Sequence, residues 1–462
     1  MPIGFLQRER TIAPPGWSRW LIPPAALSIH LAIGQAYAWS VFKLPLENSL
    51  HISGVASALP FTVGMVMLGV SAAVFGTAVE RNGPRWAMFI ATICFSSGFL
   101  LSSLGVALEQ YWLVVVGYGF VGGIGLGIGY ISPVSTLIKW FPDRPGMATG
   151  FAIMGFGGGA LIASPWSNAM LSTFGTDVGG ISRTFLVHGV AYAAFMSVGW
   201  LLVKLPREGW RPAGWDPEKA RTSPLVTTAN VSANHAIRTP QFWLLWVVLC
   251  LNVTAGIGIL ERASPIFQDF FPDATSTEAL AAAAAGFVAI LSLANATGRI
   301  LWSSTSDYVG RKNMYRFYLG VGALLYLTVT LTTNANKVLF LVCCLFILSF
   351  YGAGFSTVPA YLRDLFGTYQ VGAIHGRLLT AWSTAGVLGP VIVNAIADAR
   401  IAAGVEGPAR YTTAFVIMIG LLVVGFVCNE LIRPVHARFH EPTAGRVEPA
   451  PTTTTAAEGG TP

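Results

Sequence analysis

The chain has 462 residues, of which 53% are hydrophobic and only 11% charged, and its mean hydropathy is +0.61. A soluble domain carries roughly 25% charged residues, so this composition excludes an ordinary water-soluble globule and implies that lipid covers much of the surface. The net charge of +7 marks a nucleic-acid binder only where Lys and Arg gather on one face, and here they are scattered over many short loops.

Residues 1–19 are polar and proline-bearing and lack the pattern of a cleavable signal peptide. A bilayer core is about 30 Å thick and takes about 20 mostly apolar residues per helix. Twelve such stretches follow, at 20–42, 57–79, 86–107, 111–138, 147–171, 184–203, 241–267, 279–302, 314–333, 338–362, 371–397 and 411–432. The expected fold is therefore an all-α membrane protein of twelve transmembrane helices. The longest polar interruption, 204–240, is rich in Pro, Arg, Asn and Thr and divides the spans six and six, as a linker between two bundles (20–203 and 241–432) would. Residues 433–462 are rich in Pro, Thr, Ala and Glu and read as a disordered tail.

Loop charge gives the orientation. With the N-terminus inside, 21 of the 28 Lys and Arg fall on the cytoplasmic side and five on the other, leaving Arg262 and Arg299 within spans. Both termini are then expected in the cytoplasm. The five cysteines lie in apolar runs without zinc-ligand or redox spacing and read as reduced packing residues.

The halves echo one another. Glu80, Arg81, Gly83 and Arg85 recur as Asp307, Gly310, Arg311 and Lys312 at an offset of 227. Pro133 pairs with Pro359, and Gly146 and Gly150 with Gly372 and Gly376, at 226. Duplicated halves with a site between them suit an alternating-access carrier. Glycine stripes such as Gly119, Gly123 and Gly127 let membrane helices approach closely.

These loops resemble the major facilitator superfamily. The run Trp140, Phe141, Pro142, Asp143, Arg144 and Gly146, the run Arg238 to Trp243, and Gln35, Tyr37, Trp39, Asn295, Gly298 and Arg299 are similar to its oxalate/formate antiporter branch, which includes bacterial lactate and other monocarboxylate carriers. The pattern is departed from at Glu80, where the family has Asp, at Pro84 before Arg85, and at Ser303 for the leading Gly. The resemblance implies a major facilitator fold in a bacterial inner membrane, no enzymatic activity, and gating by Glu80, Arg81, Arg85, Asp307, Arg311 and Lys312, charges that otherwise only set topology.

Arg299 is the leading site candidate. A guanidinium in hydrocarbon is costly unless it faces a watery cavity or a partner, and it keeps its charge. Its planar fork matches a carboxylate, and the resemblance places the branch's carboxylate-binding arginine there. The alternative is a structural arginine that snorkels or pairs with Asp307. Asn295, one turn away, can hold the guanidinium or a substrate hydroxyl, or simply join helices. Tyr130 and Tyr351 can donate hydrogen bonds or merely sit at interfaces. Gln35 and Tyr37 are weaker candidates, since an aromatic stripe more often packs than binds. The resemblance puts Trp382 where dicarboxylate exchangers have a second cation, a lysine, which favours a monoanion over oxalate. His375 is a candidate for proton coupling, against a plain role at the cytoplasmic edge. Glu261 and Arg262, near the outer end of span seven, read either as an outer gate with partners elsewhere or as an interfacial charge pair without function. The expected partners are a small carboxylate, a proton or counter-anion and the bilayer, with a monomeric chain and no nucleic acid. No cofactor or metal is expected, because no nucleotide-phosphate loop or ligand cluster is legible. The readings weighed against monocarboxylate transport are a dicarboxylate antiporter, a nitrate-type carrier and a non-transporting receptor.

Overall fold

A computed structural model describes residues 4–216, 225–272, 277–332 and 336–442. With no water in the bilayer core, a spanning segment must satisfy its own backbone, and helices do so. Among the described residues ten helices are long and apolar enough to cross: α2 (Ala56–Asn82), α3 (Pro84–Ala107), α4 (Tyr111–Trp140), α5 (Pro145–Phe174), α6 (Val178–Leu202), α7 (Pro240–Leu260), α9 (Arg311–Leu331), α10 (Lys337–Phe366), α11 (Val371–Ala402) and α12 (Thr412–Leu431). Ahead of them, α1 is a bent pair, Arg19–Ala38 and Ser40–Leu50, meeting at 50°. The eighth expected span is α8, Thr277–Val309, whose 33 residues reach about 50 Å at 1.5 Å each. The twelve-span reading therefore holds, with two corrections: the first span, expected as one helix, is broken, and the seventh, expected over 241–267, ends at Glu261 and is followed by a separate short helix, Ala263–Phe270. The turn Gly34–Ala38 of the first span tightens to a 3-10 helix, because α1 presses there on the backbone of α5. A methyl on Gly34 would sit 2.5 Å from the Phe156 carbonyl oxygen.

Two six-helix bundles result. In the first, α3 runs along α6 and α4, and α1 along α5; in the second, α9 runs along α12 and α10, and α7 along α11 and α12. The bundles meet through α5 on α8 and α10, and α2 on α11. Large apolar side chains stay exposed along the outer helices, Val190, Leu301, Leu324 and Val423 among them, as a lipid-facing surface requires. The five cysteines are free and buried or half-buried.

The repeat seen in the sequence is also a repeat of geometry. The α2–α3 and α8–α9 connections each turn on one glycine of positive φ, Gly83 at +90° and Gly310 at +88°, a conformation that a Cβ penalises. The polar ends pack on each other: Leu205 donates to Thr11 O at 2.8 Å, and Gln241 donates to Pro434 O at 3.1 Å. Glu441 accepts from the backbone N–H of Ser232 at 3.2 Å. The tail expected to be disordered from 433 is therefore docked over its first ten residues, and 443–462 lie outside the described residues.

Candidate substrate site and gate

Arg299 is fully buried about two-thirds of the way along α8. Its Nε donates to Asn295 Oδ1 at 3.3 Å, and its Nη1 reaches across to Ile153 O on α5 at 2.9 Å. Its Nη2 has no protein partner. The ring of Phe355 lies 5.5 Å from Cζ. Space for the guanidinium comes from glycine: a methyl on Gly157 would stand 2.8 Å from Cζ, and one on Gly352 would stand 3.1 Å from Cγ.

Around this cation the protein gathers aromatic groups from both bundles. Tyr37, Tyr130 and Tyr351 lie within electrostatic reach of Arg299 or of each other, with the Tyr37 hydroxyl facing both Arg299 and Tyr351, and none of the three hydroxyls closes a hydrogen bond of ordinary geometry. Phe156 of α5 stands 5.1 Å from Tyr37, 5.4 Å from Tyr130 and 6.3 Å from Trp382. Phe355 of α10 stands 5.4 Å from Tyr130 and 5.6 Å from Trp382, and the Trp382 indole N–H is also unpartnered. Buried polar groups almost always find a hydrogen bond. Here several donors without one surround a single fixed positive charge, an arrangement fitted to a small polar anion.

Six of the seven predicted binding residues are thus brought together. The exception is Gln35, whose Oε1 accepts from Tyr118 at 3.1 Å on the far side of the broken turn. Phe156, Phe355, Gly157 and Gly352 escaped the sequence reading. A signal for the first existed, since Phe156 and Trp382 stand 226 apart, at the offset of the repeat. His375 is not at a loop edge as expected. It is buried, with neither ring nitrogen partnered, 5.6 Å from the Tyr130 ring. His30, not singled out in the sequence, also lies against that ring, stacked at 5.3 Å.

The inter-bundle hydrogen bonds among the described residues run from mid-helix to the end bearing the loop charges. Glu80 Oε1 accepts from the Gly372 N–H at 2.9 Å, so the end of α2 caps the start of α11. Asp307 repeats this for the other half: its two oxygens accept from the Gly146 and Met147 N–H groups, each at 2.8 Å, capping α5 from α8. Helix N-termini offer free N–H groups and partial positive charge, so carboxylates are favoured there. Each cap is backed by a cation, Lys139 at 2.5 Å from Glu80 and Arg311 at 2.5 Å from Asp307. The paired glycines of the repeat are what permit contact, since a methyl on Gly150 would meet the Ser303 Cβ at 3.1 Å and one on Gly372 the Ser135 Cβ at 2.8 Å.

Three of the six expected gating charges do not join this latch. Arg81 is exposed. Arg85 donates to Trp200 O and Phe5 O within its own bundle, and Lys312 to Glu430 O and Ile432 O within its own. Both neutralise carbonyls at a helix C-terminus, where cations belong. Missed instead were Lys139, Arg363 and Asp364. Arg363 donates to Pro142 O across the interface at 3.2 Å and pairs with Asp364 at 3.0 Å. At the opposite end Arg262 binds Asn394 and Asp398 of α11, each at 2.5 Å. The Glu261 side chain lies outside the described residues.

The sequence matches the Major Facilitator Superfamily profile over residues 25–390. The chain belongs to that family. Among relatives of this superfamily member, the oxalate:formate antiporter of Oxalobacter formigenes is 24% identical over 424 residues, covering 90% of this chain and 93% of the relative. Apicoplast pyruvate carrier 1 of Toxoplasma gondii is 26% identical, covering 78% and 80%. The fold is shared with the major facilitator transporter FucP in its outward conformation, with a TM-score of 0.65 at 13% identity over 89% of this chain and 98% of that one.

Proposed function

We propose that this superfamily member carries small monocarboxylate anions, of the lactate, pyruvate or formate type, across the inner membrane by alternating access. The observation that carries the reading is the Nη2 of a fully buried arginine, left without a hydrogen bond of ordinary geometry and ringed by tyrosine hydroxyls and an indole N–H in the same condition. Guanidinium–carboxylate bonds are charge-assisted and strong in a water-poor site. One fixed cation balances one negative charge. A dianion would leave a charge uncompensated beside the Trp382 indole, and a buried unpaired charge costs several kcal/mol. The names of the two relatives, an oxalate:formate antiporter and a pyruvate carrier, support the carboxylate class.

In this reading Arg299 is the capturing group, Asn295 orients it, and Tyr37, Tyr130, Tyr351 and Trp382 supply neutral donors. The Glu80 and Asp307 caps hold the cytoplasmic end shut while the opposite end admits the anion. Release inward breaks both caps and the Arg299–Ile153 bond, since all three cross between bundles. The bundles at 20–203 and 241–432, joined by 204–240, rock as units within a monomer whose termini are cytoplasmic, and a proton or counter-anion supplies the drive. Reconstitution in proteoliposomes tests this: labelled lactate, pyruvate or formate is taken up and oxalate is not. Preferential oxalate uptake would replace the reading with dicarboxylate exchange, and binding without movement would make the protein a receptor.

A further inference from the structure

His30 of α1 is fully buried, and both of its ring nitrogens face carbonyl oxygens: Nδ1 is 2.6 Å from Ala152 O and Nε2 is 3.1 Å from Tyr130 O. A neutral imidazole has one N–H, so it satisfies one of these oxygens and turns a lone pair toward the other. An imidazolium donates to both. The ring is stacked on Tyr130, with planes 19° apart, and the π-face of a phenol ring favours a cation. These contacts favour the protonated ring, against the cost of burying its charge.

No ion pair joins His30 to an acid among the described residues. The titratable and charged groups that reach it are Tyr130 from α4, Arg299 from α8 and His375 from α11. Arg299 is also tied to it through the chain, because their acceptors, Ala152 O and Ile153 O, are consecutive carbonyls of α5. Two positive charges that reach each other in a low dielectric oppose each other, and an anion on Arg299 removes the opposition.

We propose that His30 binds the proton that travels with the anion, one proton per carboxylate, so that the loaded carrier gains no net charge. The proposal rests on the reading of Arg299 as the anion site. The coupling is reciprocal, as linkage requires: anion favours proton and proton favours anion. The proton adds to the bare ring nitrogen on loading and leaves it on release, and no other bond changes.

Calorimetry of pyruvate binding to the purified full chain, in buffers of different ionisation enthalpy, counts the protons taken up. The wild type and His375→Gln are expected to take up close to one proton per pyruvate, with affinity falling about tenfold per pH unit once the ring is neutral. His30→Gln is expected to take up none, and its affinity to stay flat with pH. Proton uptake retained in His30→Gln, or lost in His375→Gln alone, overturns the proposal. Binding by the wild type without proton uptake overturns it while leaving the Arg299 reading intact, and no binding of pyruvate, lactate or formate at all sinks both. If His30→Gln does not fold, ring-nitrogen NMR of the histidine-labelled wild type and His375→Gln decides. A buried imidazole becoming doubly protonated on adding pyruvate in both supports the proposal, and an unchanged spectrum overturns it.

Discussion

Gly157 and Gly158 are neighbours with opposite burdens. A methyl at the first would stand 2.8 Å from the Arg299 Cζ, whereas one at the second meets nothing within 4 Å. Gly157→Ala is expected to push the guanidinium off Ile153 and lower carboxylate uptake by more than tenfold, because misplacing a site group by about 1 Å costs on the order of a hundredfold. Gly158→Ala is expected to leave uptake within twofold. Measured side by side at equal incorporation, equal losses in the two variants would mean that helix stiffness matters here rather than room for Arg299. Trp382→Lys carries a second residue-scale prediction. A cation beside Phe156 and Phe355 supplies the charge that a dianion lacks, so oxalate uptake is expected to appear and lactate uptake to fall. Arg299 itself was legible because a permanent charge within an apolar run has few explanations. The glycines that seat it were not, since sequence alone does not say which of many membrane glycines faces a side chain.

In the proposed mechanism the helix ends carry the gate, and the two caps are unequal. Asp307 accepts two backbone N–H bonds and one bond from Arg311, whereas Glu80 accepts one N–H bond and the Lys139 ammonium. Charge-assisted bonds contribute roughly 1.5–3 kcal/mol each, so Asp307→Asn is expected to loosen the capped end more than Glu80→Gln does. Spin-label distances across the α5–α8 contact check this: both variants should gain a longer-distance population, larger for Asp307→Asn, and an unchanged distribution in both would remove the caps from the gate. Sequence periodicity found the elements but cut them short. Hydropathy stops at the charges that end the apolar run, while α2 continues to Asn82 and α8 to Val309, carrying those charges into the interface. The break in α1 was hidden because Gly34–Ala38 contains no proline, and its cause is the backbone of α5, a contact distant in sequence.

At the scale of the molecule, two similar halves enclose an asymmetric centre: the caps are duplicated, but the fixed cation is supplied by α8 alone. The duplication was readable as a near-constant offset of 226 to 227 residues and became paired turns, paired caps and paired glycine contacts. Which repeated charges cross the interface was not readable, since Arg85 and Lys312 share an offset yet each bonds within its own bundle. The proposed orientation rests on charge bias and is checked by impermeant thiol labelling. Ala403→Cys, exposed at the outer end of α11, should label in intact cells, and Thr228→Cys, exposed in the linker, only after the membrane is opened; the reverse pattern would invert the topology.

Everything in the transport reading depends on the guanidinium meeting a carboxylate. Accumulation of labelled pyruvate in proteoliposomes, compared among wild type, Arg299→Lys and Arg299→Ala at matched incorporation, tests that dependence most directly. Arg299→Ala should abolish accumulation, and Arg299→Lys, which keeps the charge and loses the fork, should retain no more than about a tenth. Accumulation at the wild-type rate by Arg299→Ala would contradict the account.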